Sequence, residues 1–132
     1  MNIVFDTNVF IAALVAEGVC HNLLAHCAET HTLFTSEFVL GEVHEKLRTK
    51  FKRKTAAADE TIALLQSVCT VVTPDPLPMQ VCRDADDDWI LATALAADAA
   101  CIVTGDKDLL VLGSFQSIAI LSPGEFAAFE EK

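Results

Sequence analysis

The chain has 132 residues, 52% of them hydrophobic, enough for one domain with a core of its own and no need of disulfide staples. Its net charge of −10 argues against a general nucleic-acid coat, because affinity for phosphate backbones is built from Lys and Arg. No apolar stretch reaches the roughly 18 residues of a membrane span, and the N-terminus lacks the basic start and cleavage site of a secretory signal. The expectation is a single cytoplasmic domain over residues 1–132.

Asn2–Phe5 is a short apolar run rich in β-branched residues, the pattern of a strand buried on both faces. Thr7 or Asn8 is placed to cap a helix running to about Ala16, and a second helix is expected over Val19–Glu29. Thr32–Thr35 reads as a strand. Ser36 stands where an N-cap belongs, and Val39, Leu40, Val43 and Leu47 give the next helix its three-to-four spacing before it enters a basic stretch. Ala56–Val68 is an amphipathic helix and Thr70–Thr73 a strand. Three prolines in Pro74–Pro78 make a loop. Asp86 or Asp87 opens an Ala-rich helix through Asp98. Strand Cys101–Thr104, a turn at Gly105-Asp106-Lys107, a helical turn near Leu109–Leu112 and strand Ser117–Leu121 follow. A last helix is capped by Ser122, with Pro123 at its first position. Strands alternating with helices imply right-handed βαβ crossovers and a parallel sheet covered on both faces, with ligands bound at the carboxyl ends of the strands. Asp6 and Asp106 both fall at that end.

Charge is distributed unevenly. Lys46, Arg48, Lys50, Lys52, Arg53 and Lys54 are six of the nine Lys and Arg, and no acid interrupts them. Such a patch can steer a polyanion even when the net charge is wrong; the plainer alternative is a solvated helix end.

The acids carry more information. Asp84, Asp86, Asp87 and Asp88 crowd one loop, while Asp6 and Asp106 end apolar runs. Two carboxylates about 5 Å apart repel by roughly 3 kcal/mol at an effective dielectric of 20, so several in one cleft point to a cation or to shared protons. Helix phase puts Asp87 on the face of Ile90, Leu91 and Ala94, at the centre of the inward stripe. Asp86 and Asp88 lie about 100° to either side and read as N-terminal helix charges. Glu42 borders the apolar stripe of its helix, whereas Glu45 reads as solvated. Thr104 could share a face with Asp106 if the strand extends that far. Asp108 is an outer ligand or the cap of the following turn, the cap being preferred.

These segments carry a family resemblance. Asp6-Thr7-Asn8 after a hydrophobic strand, Glu42 within Ser36–Glu42, Arg83–Asp88 before an Ala-rich helix, and Val103-Thr104-Gly105-Asp106-Lys107-Asp108-Leu109 resemble, in order and spacing, the motifs of PIN-domain ribonucleases. The match is best with the bacterial VapC-like branch, the toxin components of toxin–antitoxin pairs, and spans residue 2 to about 125. The resemblance implies a three-layer α/β/α sandwich with a central parallel sheet and an acidic pocket for Mg²⁺ or Mn²⁺. It places the family's acids on Asp6, Glu42, Asp87 and Asp106, as catalytic and metal-binding residues, with Asn8 and Thr104 at supporting polar positions; Asp108 joins these as a supporting residue on the residue reading alone. It implies hydrolysis of RNA phosphodiesters, with Glu42 either a ligand or the base, and Lys46, Arg48, Lys50, Lys52, Arg53 and Lys54 on the RNA backbone. An antitoxin and a second copy of the chain are the implied partners, and no membrane is involved.

Three rivals are weaker. A receiver-like phosphoacceptor would pair an acid with Asp6 and end a middle strand on Asp. A dinucleotide-binding protein would show G-x-G-x-x-G after a strand. A catalytically silent binding module of the same fold would have little use for intact acids. Cys20, Cys27, Cys69, Cys82 and Cys101 form no C-x-x-C pair and read as reduced, mostly buried thiols. His21, His26 and His31 are spaced by five, about 140° per step, which gathers them on no single helical face and gives no zinc site. Trp89 lies opposite Asp87 on its helix, where it could reach a subunit contact.

Overall fold

The computed structural model describes all 132 residues. Six strands form one sheet: β1 Asn2–Phe5, β2 Thr32–Ser36, β3 Cys69–Val72, β4 Cys101–Val103, β5 Ser114–Phe115 and β6 Ile118–Leu121. Their order is β3-β2-β1-β4-β6-β5. All neighbours are parallel except β5 and β6, which pair antiparallel.

Seven helices accompany them: α1 Thr7–Val15, α2 Val19–Thr30, α3 Glu37–Thr49, α4 Thr55–Val68, α5 Asp88–Ala96, α6 Lys107–Leu110 and α7 Phe126–Glu130. From β1 to β3 the chain steps along the sheet in one direction; it then returns to place β4 on the other side of β1. Right-handed crossovers in opposite directions put their helices on opposite faces. Accordingly α1 to α4 pack on one another, while α5 crosses back over β1 and β2. The sheet is thus flanked by helices on both faces. The reversal of strand order falls between β1 and β4, which opens a crevice at their carboxyl ends.

The central strands bear out the reading of buried parallel strands. Ile3, Val4 and Phe5 of β1 and Cys101, Ile102 and Val103 of β4 are wholly buried. They belong to one core cluster with Val39, Leu40, Val43 and Leu47 of α3 and Ile90, Leu91 and Ala94 of α5. Four of the five free cysteines are buried and Cys20 is half-buried. Burial pushes the Cys27, Cys82 and Cys101 thiols up to about 12, so they behave as small apolar groups. No single helix is long and apolar enough to cross a membrane.

Several boundaries differ from expectation for physical reasons. The cap of α1 is Asp6, whose Oδ1 accepts from Thr7 N at 2.7 Å, not Thr7 or Asn8. Ser36 holds the N-cap position of α3 but caps nothing with its side chain; Oγ instead pairs at 2.9 Å with the Thr93 hydroxyl, which itself donates to Trp89 O at 2.7 Å. A 3₁₀ turn over Ala85–Asp87 precedes α5, which starts at Asp88 and ends at Ala96. The helical turn expected at Leu109–Leu112 begins earlier, at Lys107, because Asp106 caps it. Finally, β5 was not foreseen. Gln116 and Ser117, both at positive φ (48° and 71°), make the two-residue turn joining it to β6, and β6 starts at Ile118 rather than Ser117.

Thr35 of β2 is wholly buried, and its Oγ1 has no hydrogen-bond partner. A buried unpaired hydroxyl costs about 1–3 kcal/mol, and a methyl of the same shape avoids that cost. Thr35→Val should therefore raise stability by about 1 kcal/mol in chemical denaturation, with an unchanged m-value; a lower midpoint would mean the hydroxyl is paired in solution.

Candidate active site

The crevice at the strand ends is organised by a continuous chain of hydrogen bonds. Parallel pairing sets Phe5 against Val103, and Asp6 N donates to Val103 O at 2.9 Å, so the residues following β1 and β4 emerge side by side. Asp6, only 5% exposed, then receives Thr7 N on Oδ1 and the Thr104 hydroxyl on Oδ2, both at 2.7 Å. Thr7 Oγ1 donates onward to Glu42 Oε1 at 2.7 Å. Thr104 Oγ1 accepts from Asp106 N at 3.0 Å, and Asp106 Oδ1 accepts from Asp108 N at 2.8 Å. At the far end Arg83 donates to Asp108 Oδ2 at 3.1 Å. Six residues from three separate stretches of chain, Glu42, Thr7, Asp6, Thr104, Asp106 and Asp108, are thereby locked in register.

Carboxylate oxygens of Asp87, Asp106 and Asp108 lie within 4.8 Å of one another. Asp6 stands near Asp87 and Asp106 and is tied through Thr7 to Glu42, and Asp6 and Glu42 each already hold a hydroxyl donor. Within the acidic loop the side chains divide their tasks. Asp88 turns back to receive Val81 N and Cys82 N at 3.0 and 2.7 Å, and Asp84 receives Asp86 N at 2.9 Å. Asp86 is exposed. Asp87 is left facing Asp106, as helix phase suggested, although it sits in the 3₁₀ turn before α5 and not in the helix. Asp108 corrects the reading of that turn: Asp106 is the cap, and Asp108 joins the acidic trio.

The electrostatics follow from this crowding. Burial, with Asp106, Asp6, Asp84 and Asp108 around it, pushes the Asp87 carboxyl up to about 7. Burial also raises Asp6, against the pull of its bonds from Thr104 and Thr7, and raises Glu42 against the Thr7 hydroxyl and Lys46. Three carboxylates converging with oxygen atoms only, one of them driven to share a proton, form a donor set that suits a hard divalent cation such as Mg²⁺ or Mn²⁺.

Comparison with known proteins gives the family and the fold. Residues 2–108 match the family model described as PIN domain. The chain belongs to the PIN-domain family. It is 33% identical over 118 residues to uncharacterized protein MJ1680 of Methanocaldococcus jannaschii, an alignment covering 85% of this chain and 75% of that protein. Two solved structures share the PIN fold at 16% identity and a TM-score of 0.65. One is VapBC2 from Rickettsia felis bound to a DNA fragment from their promoter, covering 91% of this chain and 97% of that one. The other is VapBC-1 from nontypeable Haemophilus influenzae, covering 94% and 99%.

The basic residues of this PIN domain do not act as one helical stripe. Helix α3 ends at Thr49, so only Lys46 and Arg48 lie on it, in the last turn where they favour the helix dipole. Lys50 is its C-cap, Lys52 has a left-handed φ of 56°, and Lys54 occupies the N-cap position of α4. Arg48, Lys50, Lys52, Arg53 and Lys54 are exposed. Lys46 is half-buried and donates to Asn8 Oδ1 at 2.8 Å, placing its charge at the rim of the acidic crevice. Sequence reasoning missed Thr7, which joins Asp6 to Glu42, and Arg83, which pairs with Asp108. Neither has a spacing signal, because both act across elements brought together only by the sheet. Trp89 stacks on Phe38 at 5.9 Å between ring centroids.

Proposed function

We propose that this PIN domain is a metal-dependent endoribonuclease, the toxin of a toxin–antitoxin pair. The observation that carries the reading is the convergence of Asp87, Asp106 and Asp108 at the carboxyl ends of β1 and β4, next to Asp6, which Thr7 joins to Glu42. Asp87, Asp106 and Asp108, with Asp6, would hold Mg²⁺ or Mn²⁺. When bound, the cation supplies charge neutralisation and Lewis acidity at the scissile phosphate. Glu42, oriented by the Thr7 hydroxyl and raised by burial, would take a proton from the attacking water, a role its raised pKa favours. Lys46 and Asn8 bind at the rim, and the exposed Arg48, Lys50, Lys52, Arg53 and Lys54 engage the RNA backbone. The likeness to the PIN chains of VapBC2 and VapBC-1 supports an antitoxin as protein partner.

The test is cleavage of one structured and one unstructured RNA with Mg²⁺ or Mn²⁺, comparing wild type with Asp106→Asn. Wild type should cut and the variant should not, and expression of wild type alone should arrest bacterial growth. Replacing Lys50, Lys52, Arg53 and Lys54 by Ala should spare the chemical step while weakening RNA binding. The slope of log K against log salt should then shrink by about 0.7 for each phosphate that is no longer neutralised. Folded wild type that cuts neither RNA with either metal would refute the nuclease reading.

A further inference from the structure

A second cluster of metal-ligating side chains lies at the other end of the sheet. His31 directly precedes β2, beside the amino end of β1, where Thr32 N donates to Met1 O at 3.0 Å. His26 comes from α2 and Glu130 from the last turn of α7. Both imidazole Nε2 atoms point at the same carboxylate oxygen: His26 Nε2 is 2.6 Å and His31 Nε2 2.5 Å from Glu130 Oε2. About four residues of strand, at roughly 3.3 Å each, separate this cluster from the acidic crevice.

Helix phase, which spoke against a histidine site, does not govern this pair. His31 is not part of α2; it is the residue that ends it, with extended backbone at φ −126° and ψ −177°. The 140° step therefore does not apply between His26 and His31, and the chain reversal brings the rings edge-on at 5.8 Å. Glu130, nearly a hundred residues later, gave no sign of sharing their site.

We propose that His26, His31 and Glu130 form a transition-metal site of the Zn²⁺ class, distinct from the acidic crevice, which fastens α7 to α2. Two neutral imidazoles and a carboxylate suit borderline ions such as Zn²⁺ and Co²⁺, whereas the all-oxygen crevice suits Mg²⁺. Two imidazole nitrogens converge on one carboxylate oxygen at 2.5–2.6 Å, within hydrogen-bonding distance. Donors around a tetrahedral Zn²⁺, with bonds of about 2.0–2.2 Å, stand about 3.3 Å apart. Each nitrogen thus needs to draw back from the oxygen by less than about 1 Å to admit the ion, and all three ligand atoms already lie within 4.8 Å of one another. The Glu130 side chain, 27% exposed, can make that shift by rotation about its own bonds.

The surroundings suit the role. The His31 side chain is only 11% exposed, its ring packs edge-on against buried Phe126 at 6.0 Å, and its Nδ1 faces the Met1 amino nitrogen at 3.1 Å. With a metal on Nε2 the ring proton sits on Nδ1, so the Met1 amine must be neutral to accept it, and metal binding there releases a proton. The His26 side chain is 45% exposed, leaving solvent to fill the remaining coordination position.

The test uses the whole chain in excess Mg²⁺, which occupies the acidic crevice, titrated with Co²⁺ and then Zn²⁺. Wild type should bind one equivalent of Co²⁺ with the visible absorption of a nitrogen-containing, low-coordinate site, Zn²⁺ should displace it, and the melting temperature should rise. His26→Ala and Glu130→Gln should each weaken Co²⁺ by about tenfold or more, since even outer-shell changes cost about 10–100-fold. Asp106→Asn should leave the Co²⁺ spectrum intact. Circular dichroism checks that each variant is folded, and His26 is exposed enough for truncation to spare the core. No Co²⁺ absorption in wild type, equal affinity in His26→Ala and Glu130→Gln, or disappearance of the signal in Asp106→Asn would each overturn the proposal.

Discussion

Asp87→Asn should abolish metal-stimulated RNA cleavage while making the metal-free protein more stable. The two effects share one cause. Asp87 faces Asp106, Asp6, Asp84 and Asp108, and burial with these neighbours raises its carboxyl to about 7, so its charge is a liability to the fold until a cation offsets it. Asparagine keeps the shape and removes the charge. Loss of a direct carboxylate donor should lower cleavage by about a hundredfold or more, beyond the range seen for outer-shell changes. Thermal unfolding with and without Mg²⁺ gives the second readout: Mg²⁺ should raise the melting temperature of wild type and leave the variant nearly unmoved. A variant that is less stable without metal, or as responsive to Mg²⁺ as wild type, would remove Asp87 from the cation site.

The sign of the pH dependence follows from the same shift. Unfolded, Asp87 titrates near 3.9; folded, near 7. Between these values the folded state retains a proton that the unfolded state has lost, so stability falls as pH rises through that window. Screened by solvent at a half-buried position, the loss amounts to about 1–2 kcal/mol. Asp87→Asn should flatten that part of the curve and leave a remnant from Asp6 and Glu42, which burial also raises. At about pH 8 the metal-free variant should melt about 3–6 °C above wild type.

How much of this was legible in the chain depends on where each signal resides. The apolar runs of β1 and β4 announced buried parallel strands, and alternation with helices gave the sheet and the end at which to look. Asp6 was legible because a carboxylate directly after such a run has one place to go, and Asp106, three residues past Val103, because it opens the turn at the same end of the sheet. Asp87 emerged from helix phase, yet it did so through an element that begins one position later; the structure supplies the firmer reason, since Asp88 is taken up by two backbone amides. What stayed hidden depends on contacts between distant segments or on backbone at a helix boundary. Thr7 and Glu42, Arg83 and Asp108, and His26, His31 and Glu130 meet only after folding. The β5–β6 turn uses Gln116 and Ser117 where a two-residue turn of this kind favours Asn-Gly, so its usual signal was missing.

Thr104→Val tests whether the hydrogen-bond chain positions the acids or merely fills space. Thr104 is wholly buried; its hydroxyl donates to Asp6 Oδ2 and accepts from Asp106 N. Valine matches the shape and does neither. The change leaves a nearly buried carboxylate short of a donor, at about 1.5–3 kcal/mol, and deprives Asp106 N–H of its acceptor, at about 1–3 kcal/mol. Together these come to about 3–5 kcal/mol, a large share of a total stability of about 5–15 kcal/mol. Serine retains the hydroxyl and should recover most of it. Destabilisation alone would not separate packing from function, but the pH profile does. The Thr104 bond is the strongest influence holding Asp6 down against burial, so its removal drives the Asp6 carboxyl higher still. Cleavage by Thr104→Val, measured well below its melting temperature, should therefore begin at a higher pH than in wild type or Thr104→Ser. An unshifted onset, even with lower stability, would mean that Thr104 supports the strand end and that Asp6 ionises without its help.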